Sequence, residues 1–155
     1  MSDEPIEIPE ASADELILLP DAEPFPLLDQ VPESLRGVIL EVAWDLELLR
    51  RLDLPVDDVE IYDLRWQLDL PWWSDQGHLF SLSPMEVRAD HERSPEHWQR
   101  IQDADLYRPI YVIERPRGLV VMDGVHRLAK ADEMGWDRIL AHRVPMHDFA
   151  RVLVR

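Results

Sequence analysis

The chain has 155 residues, 32 of them acidic and 16 basic, for a formal charge of -16 at pH 7 and a pI near 4.6. That length suits one domain with a real core, and a field of that sign repels DNA and anionic membrane surfaces, which excludes nonspecific nucleic-acid binding. Cysteine is absent, which removes disulfides, thiolate nucleophiles and Cys-ligated zinc together.

Met1 to Glu10 carry neither a basic n-region nor an apolar h-region, and no apolar run approaches the ~18 residues of a membrane span. A cytoplasmic protein without membrane association is expected. Residues 1–34 hold ten acidic side chains and six of the thirteen prolines with no basic residue, a composition that reads as an acidic, mobile tail. Its apolar patches, Leu16 to Leu19 and Phe25 to Leu28, could dock. The remaining 35–155 form the expected domain. There Leu35, Val38, Ile39, Val42, Leu46, Leu49 and Leu52 recur at three- and four-residue steps, the spacing of an amphipathic helix over 35–52, with Ser34 as its N-cap and Pro55 beyond its end.

Val59 to Leu64 alternates weakly, as a strand does. Trp66, Trp72 and Trp73 read as a hydrophobic lid or core edge rather than a ligand cage. Ser83-Pro84-Met85-Glu86 is a capping box with proline at the first helical position, and Ser94-Pro95 repeats the cap for a second short helix. Pro109 to Ile113 and Leu119 to Met122 read as a hairpin around Arg115-Pro116-Arg117-Gly118, Val125 to Met134 as a helix closed by Gly135, and Arg138 to Val144 as the returning strand. The fold class is α+β, a small mixed sheet with helices.

The segment Val120-Val121-Met122-Asp123-Gly124-Val125-His126-Arg127-Leu128-Ala129-Lys130 is a buried strand turning sharply into a helix. The first helical amides, near Val125, His126 and Arg127, lack intrahelical acceptors and lie at the positive end of the dipole, where an anion such as phosphate is held. His126 and Lys130 are four apart and share a helix face, with Arg127 beside them. Two other roles are open to these residues. Asp123 is a good N-cap, and Arg127 and Lys130 could pair with Asp132 or Glu133 on a solvated face.

Pro109-Ile110-Tyr111-Val112-Ile113, then Val121 to Ala131, then Gly135 and Ile139 together resemble the ParB/sulfiredoxin superfamily, whose mark is a strand, a Gly-x-His-Arg or Gly-Glu-Arg-Arg turn, and a helix ending at Gly. The likeness spans Val59 to Val144 and is specific over Ile110 to Val144. It implies a ParB/sulfiredoxin-like fold and a nucleotide such as ATP or CTP, its phosphates contacting Gly124, Val125, His126 and Arg127. The chain departs from two branches. Val125 stands where sulfiredoxins carry the reactive cysteine, so sulfinic-acid reduction is excluded. About ten residues follow Val144, where partitioning proteins add a helix-turn-helix domain, so DNA partitioning is not expected. The turn Asp123-Gly124-Val125-His126-Arg127 is nearer to that of free-serine kinases, which implies a Mg2+-dependent small-molecule kinase or NTPase.

In such a site Asp123 would hold Mg2+, Arg127 and Lys130 would offset phosphate charge, and His126 would donate to an oxygen or act as acid and base. For a base acting on a small-molecule substrate, the resemblance to the kinase-like branch implies Glu60 or Glu86, which precede the hairpin as such carboxylates do there. No His-x-x-x-His pair points to zinc, although His142 and His147 could approach His126 if the last strand lies beside the motif strand. The alternative is a catalytically silent module that engages a protein partner through the acidic tail and the Trp66 to Trp73 patch.

Overall fold

The computed structural model describes residues 22–155. Four strands form one mixed sheet in the order β1 (Asp57–Glu60), β6 (Arg138–Arg143), β4 (Ile110–Arg115) and β5 (Gly118–Asp123). β1 runs antiparallel to β6, β6 parallel to β4, and β4 antiparallel to β5. The other two strands, β2 (Trp73–Asp75) and β3 (His78–Leu82), make a separate hairpin. The helices are α1 (Leu46–Arg50), α2 (Pro84–Ala89), α3 (Pro95–Asp103), α4 (Val125–Glu133) and α5 (Met146–Phe149). The α+β class read from the sequence is the class observed. Among the described residues no helix is long and apolar enough to cross a membrane.

Both faces of the sheet are covered, which explains why β4 and β5 read as nearly continuous apolar runs. Ile110 and Val112 of β4 and Val121 of β5 belong to one core, shared with Leu128 and Ala129 of α4, Val87 of α2 and Ile101 of α3. Their neighbours Tyr111, Ile113 and Val120 point to the opposite face and a second core, built from Val31, Leu35, Val38, Leu40, Leu49 and Phe149.

That second core corrects two expectations. Of the tail drawn over 1–34, the part up to residue 21, with the patch Leu16 to Leu19, lies outside the described residues. The rest belongs to the fold, and Val31 within it is 4% exposed. The Phe25 amide donates to the Glu41 carbonyl at 2.8 Å and the Ala43 amide to the Glu23 carbonyl at 2.7 Å. The helix expected over 35–52 shrinks to Leu46–Arg50, capped by the Asp45 carboxylate on the Leu48 amide at 3.1 Å and not by Ser34. Gly37 sits at φ +79, and Val38, Leu40 and Val42 are buried while Glu41 is exposed. A period of two and a helical period share these positions, and in a short apolar run rich in β-branched residues the extended reading prevails.

Several local signals hold. The Ser83–Glu86 capping box is formed, with bonds of 3.1 and 2.8 Å, and the Ser94 hydroxyl accepts from the His97 amide at 3.3 Å. Gly135, at φ +80, closes α4 with the Trp136 amide bonded to the Ala131 carbonyl at 2.9 Å and its own amide to Asp132 at 3.1 Å, the Schellman pattern. The strand expected over 59–64 is shorter, and Ile61–Asp63 is already a 3-10 turn. At the open edge of β5 the buried Gln67 side chain bonds the backbone. Its Nε2 donates to the Leu119 carbonyl and its Oε1 accepts from the Val121 amide, both at 2.9 Å.

Candidate functional site

β5 delivers Asp123 to the end of the sheet, and Gly124 turns the chain into α4 at φ +119 and ψ +24. A Cβ built on Gly124 would lie 2.8 Å from the Ile110 Cβ and closer still to its Cγ2. Only glycine fits a backbone of that conformation pressed against β4. No side chain caps α4, and among the described residues the amides of Val125, His126 and Arg127 have no acceptor. The positive end of a nine-residue helix is therefore open to a ligand.

The turn forms the floor of a polar cleft of about 360 Å³. Arg50, Arg100, Arg108 and Arg127 line it, together with His126, Asp103, Asp105 and Asp123. Asp123 is not the N-cap: its Oδ2 lies 3.4 Å from both the Arg50 and the Arg127 guanidinium. Arg127 is anchored from behind, with Nη1 donating to the Pro109 carbonyl at 2.6 Å. The pairs imagined with Asp132 and Glu133 are taken by Arg65 and Arg88 instead.

Lys130 does not join the cleft. Its ammonium donates to the carbonyls of Gln102 and Ala104 at 2.7 and 2.8 Å, tying the C-terminal end of α3 to α4. The expected phosphate contact from Lys130 is thereby replaced by a structural one. Glu60 and Glu86 also lie outside the cleft. Glu60 faces Arg138, and Glu86 is held in its capping box.

No family model, curated protein or solved structure matches this chain. What the site can do therefore rests on its own geometry.

The feature that sequence spacing did not reveal is a histidine pair. His97, in the first turn of α3, places Nδ1 2.9 Å from Nε2 of His126 in the first turn of α4. The ring centroids are 5.1 Å apart with planes within 15°, so the imidazoles lie edge to edge. The Trp73 indole covers both, at 4.0 Å from His97 and 4.5 Å from His126. Reading Trp73 as core edge was thus incomplete: it is buried, and it is also the plate that holds the pair. Burial pushes His126 down to about 3, helped by the positive charge of Arg100. Burial, and again Arg100, lower His97. Both rings are neutral at pH 7. The approach of His142 or His147 to His126 is not realised, because β6 lies beside β4 and not β5. His142 bonds the Pro55 carbonyl at 3.0 Å, and His147 faces Asp148.

The expected metal role of Asp123 does not fit these surroundings. Among the described residues no three His, Asp or Glu side chains gather into a metal-binding group. The one carboxylate at the turn already faces the guanidinium groups of Arg50 and Arg127, whose positive charge opposes Mg2+ there.

Beyond His97 lies a second polar cleft, lined by Trp73, Asp75, Ser94, Glu96, His97 and Arg100. Arg100 borders both clefts, and the histidine pair stands between them.

Proposed function

We propose that the chain binds a phosphate-bearing small molecule, a nucleotide such as ATP or CTP, at the turn between β5 and α4. The observation that carries this reading is the convergence of Arg50, Arg100, Arg108 and Arg127 on a helix start whose first three amides are free. Fixed dipoles and guanidinium groups together hold an anion better than either alone. The resemblance over Ile110 to Val144 implies the finer fold type, ParB/sulfiredoxin-like, and the order β4, β5, α4, β6 supports that reading. In this reading arginine side chains balance the phosphate charge.

A second reading, in which the bound phosphoryl group reacts with a small-molecule substrate, is favoured by the His97–His126 pair. Two neutral imidazoles in contact can relay a proton along their shared bond, one nitrogen accepting as the other ring donates. In that reading His126 touches the phosphate, and no carboxylate takes the part of base.

The test is a thermal-shift and calorimetric screen of ATP, ADP, CTP, GTP and inorganic phosphate. A ligand that binds only the folded state stabilises it by about 2.7 kcal/mol at a hundred times its dissociation constant. Arg100→Ala and Arg108→Ala, both on exposed side chains, should weaken binding by roughly tenfold each, as loss of one charge-assisted contact does. Wild-type affinity in both variants would place the ligand elsewhere, and no stabilisation by any of the five would end the reading.

A further inference from the structure

Two nitrogens 2.9 Å apart need one proton between them. Two N–H groups facing each other repel, and two lone pairs make no bond. Both rings being neutral, each carries a single proton, and only two arrangements remain. In one, His97 Nδ1–H donates to His126 Nε2, which leaves His126 with its proton on Nδ1 and His97 with a bare Nε2. In the other, His126 Nε2–H donates to His97 Nδ1, which leaves His126 Nδ1 bare and His97 protonated on Nε2. A donor at one outer nitrogen therefore requires an acceptor at the other.

The surroundings make that choice consequential. Among the described residues neither outer nitrogen has a hydrogen-bond partner, and each ring borders a different cleft. Trp73, parallel to His97 within 3° and to His126 within 14°, restrains both rings against turning out of their common plane. The pair can respond to a ligand by moving protons more readily than by rotating rings.

We propose that His97 and His126 couple the two clefts through their tautomers: an anion held at the start of α4 selects the arrangement with His126 Nδ1 as donor. His97 Nε2 then faces the second cleft as a hydrogen-bond acceptor. That cleft, bordered also by Glu96, by Asp75 with its Arg93 partner and by Ser94, the cap of α3, is thereby set to take a small molecule that presents a hydroxyl or ammonium donor. His97 acts as a positioning residue, through His126. This inference rests on phosphate binding at the α4 turn.

The deciding experiment is two-bond 1H–15N NMR of the histidine rings of the wild-type protein at pH 7, titrated with inorganic phosphate. Sodium chloride of equal ionic strength is the control. Phosphate should shift the backbone amides of Val125 and His126, move His97 Nε2 toward the range of an unprotonated nitrogen, and move His97 Nδ1 toward that of a protonated one. Chloride should do neither. If the amides respond while the His97 ring does not, the coupling is wrong and the phosphate site stands. If the amides stay still at saturating phosphate, both fall. An equal His97 response to chloride would assign the effect to ionic strength and overturn the coupling.

Discussion

The Nδ1 of His97 meets the Nε2 of His126 at 2.9 Å beneath the indole of Trp73, although 29 residues separate them in the chain. Each ring is stacked, bonded at one edge and partly withdrawn from water. Such a pair favours the neutral forms of both residues, and this has a measurable effect on stability.

Both histidines have folded-state values below the ordinary 6.5, with His126 near 3. Between these values the unfolded chain binds more protons than the folded one, so stability rises with pH and is lost as pH falls from 6.5 toward 3. The slope from one histidine approaches about 1.4 kcal/mol per pH unit at most. Asp132, lowered by the hydrogen bonds of Arg88 and Arg65 against its burial, acts in the same direction, but only below its ordinary 3.8. Urea unfolding from pH 7 to 4.5 should thus show falling stability, and His126→Phe should flatten the curve. A wild-type curve already flat over that range would contradict the account.

Gly124 and Gly135 both have positive φ, but only Gly124 is crowded, by Ile110. Gly135→Ala should cost about 1 to 2 kcal/mol for the left-handed backbone alone. Gly124→Ala adds a steric clash and should reach about 2 to 5 kcal/mol. Denaturation midpoints compare them directly, and equal losses would mean that the approach of β4 to the turn is not tight.

Asp123 places its negative charge against Arg50 and Arg127. Asp123→Asn releases both guanidinium groups toward a ligand and removes a repulsion. Inorganic phosphate should bind about 0.5 to 1 kcal/mol more tightly, roughly two- to fivefold, at low salt. Weaker phosphate binding by calorimetry would reinstate a role in which the carboxylate itself is needed.

Lys130 bonds two carbonyls at the end of α3, where a cation also suits the helix dipole. Lys130→Met should lower stability by about 1 to 3 kcal/mol and leave the phosphate dissociation constant unchanged. A large change in that constant, measured on protein shown to be folded, would return Lys130 to the binding site.

The strand-turn-helix from Val120 to Gly135 was legible because each of its signals is local. An apolar strand, a glycine where the chain must turn and a glycine where the helix must stop are all fixed by neighbours in sequence. The segment 35–52 misled because Val38 and Val42 satisfy a helical period while Val38, Leu40 and Val42 satisfy an extended one, and contact with Phe25 and the sheet decides between them. Within the site, Asp123 to Arg127 were found from the turn chemistry. Arg50, Arg100, Arg108, His97 and Trp73 arrive from three other elements and a loop, and no spacing relates them to His126. The Ser94-Pro95 cap did place His97 in the first turn of its helix, the one local hint that two helix starts carry facing histidines.

Gln67 closes the free edge of β5 with its side-chain amide, satisfying the Leu119 carbonyl and the Val121 amide as a neighbouring strand would. A sheet edge left open is a template for another chain, and β5 is rich in the β-branched residues that favour such pairing. One buried amide thus does for self-association what a whole additional strand does elsewhere: it leaves an incoming polypeptide fewer backbone groups to hold. Replacing Gln67 with leucine would preserve much of the packing volume yet unmask those groups. The resulting protein should form concentration-dependent aggregates before it loses its fold.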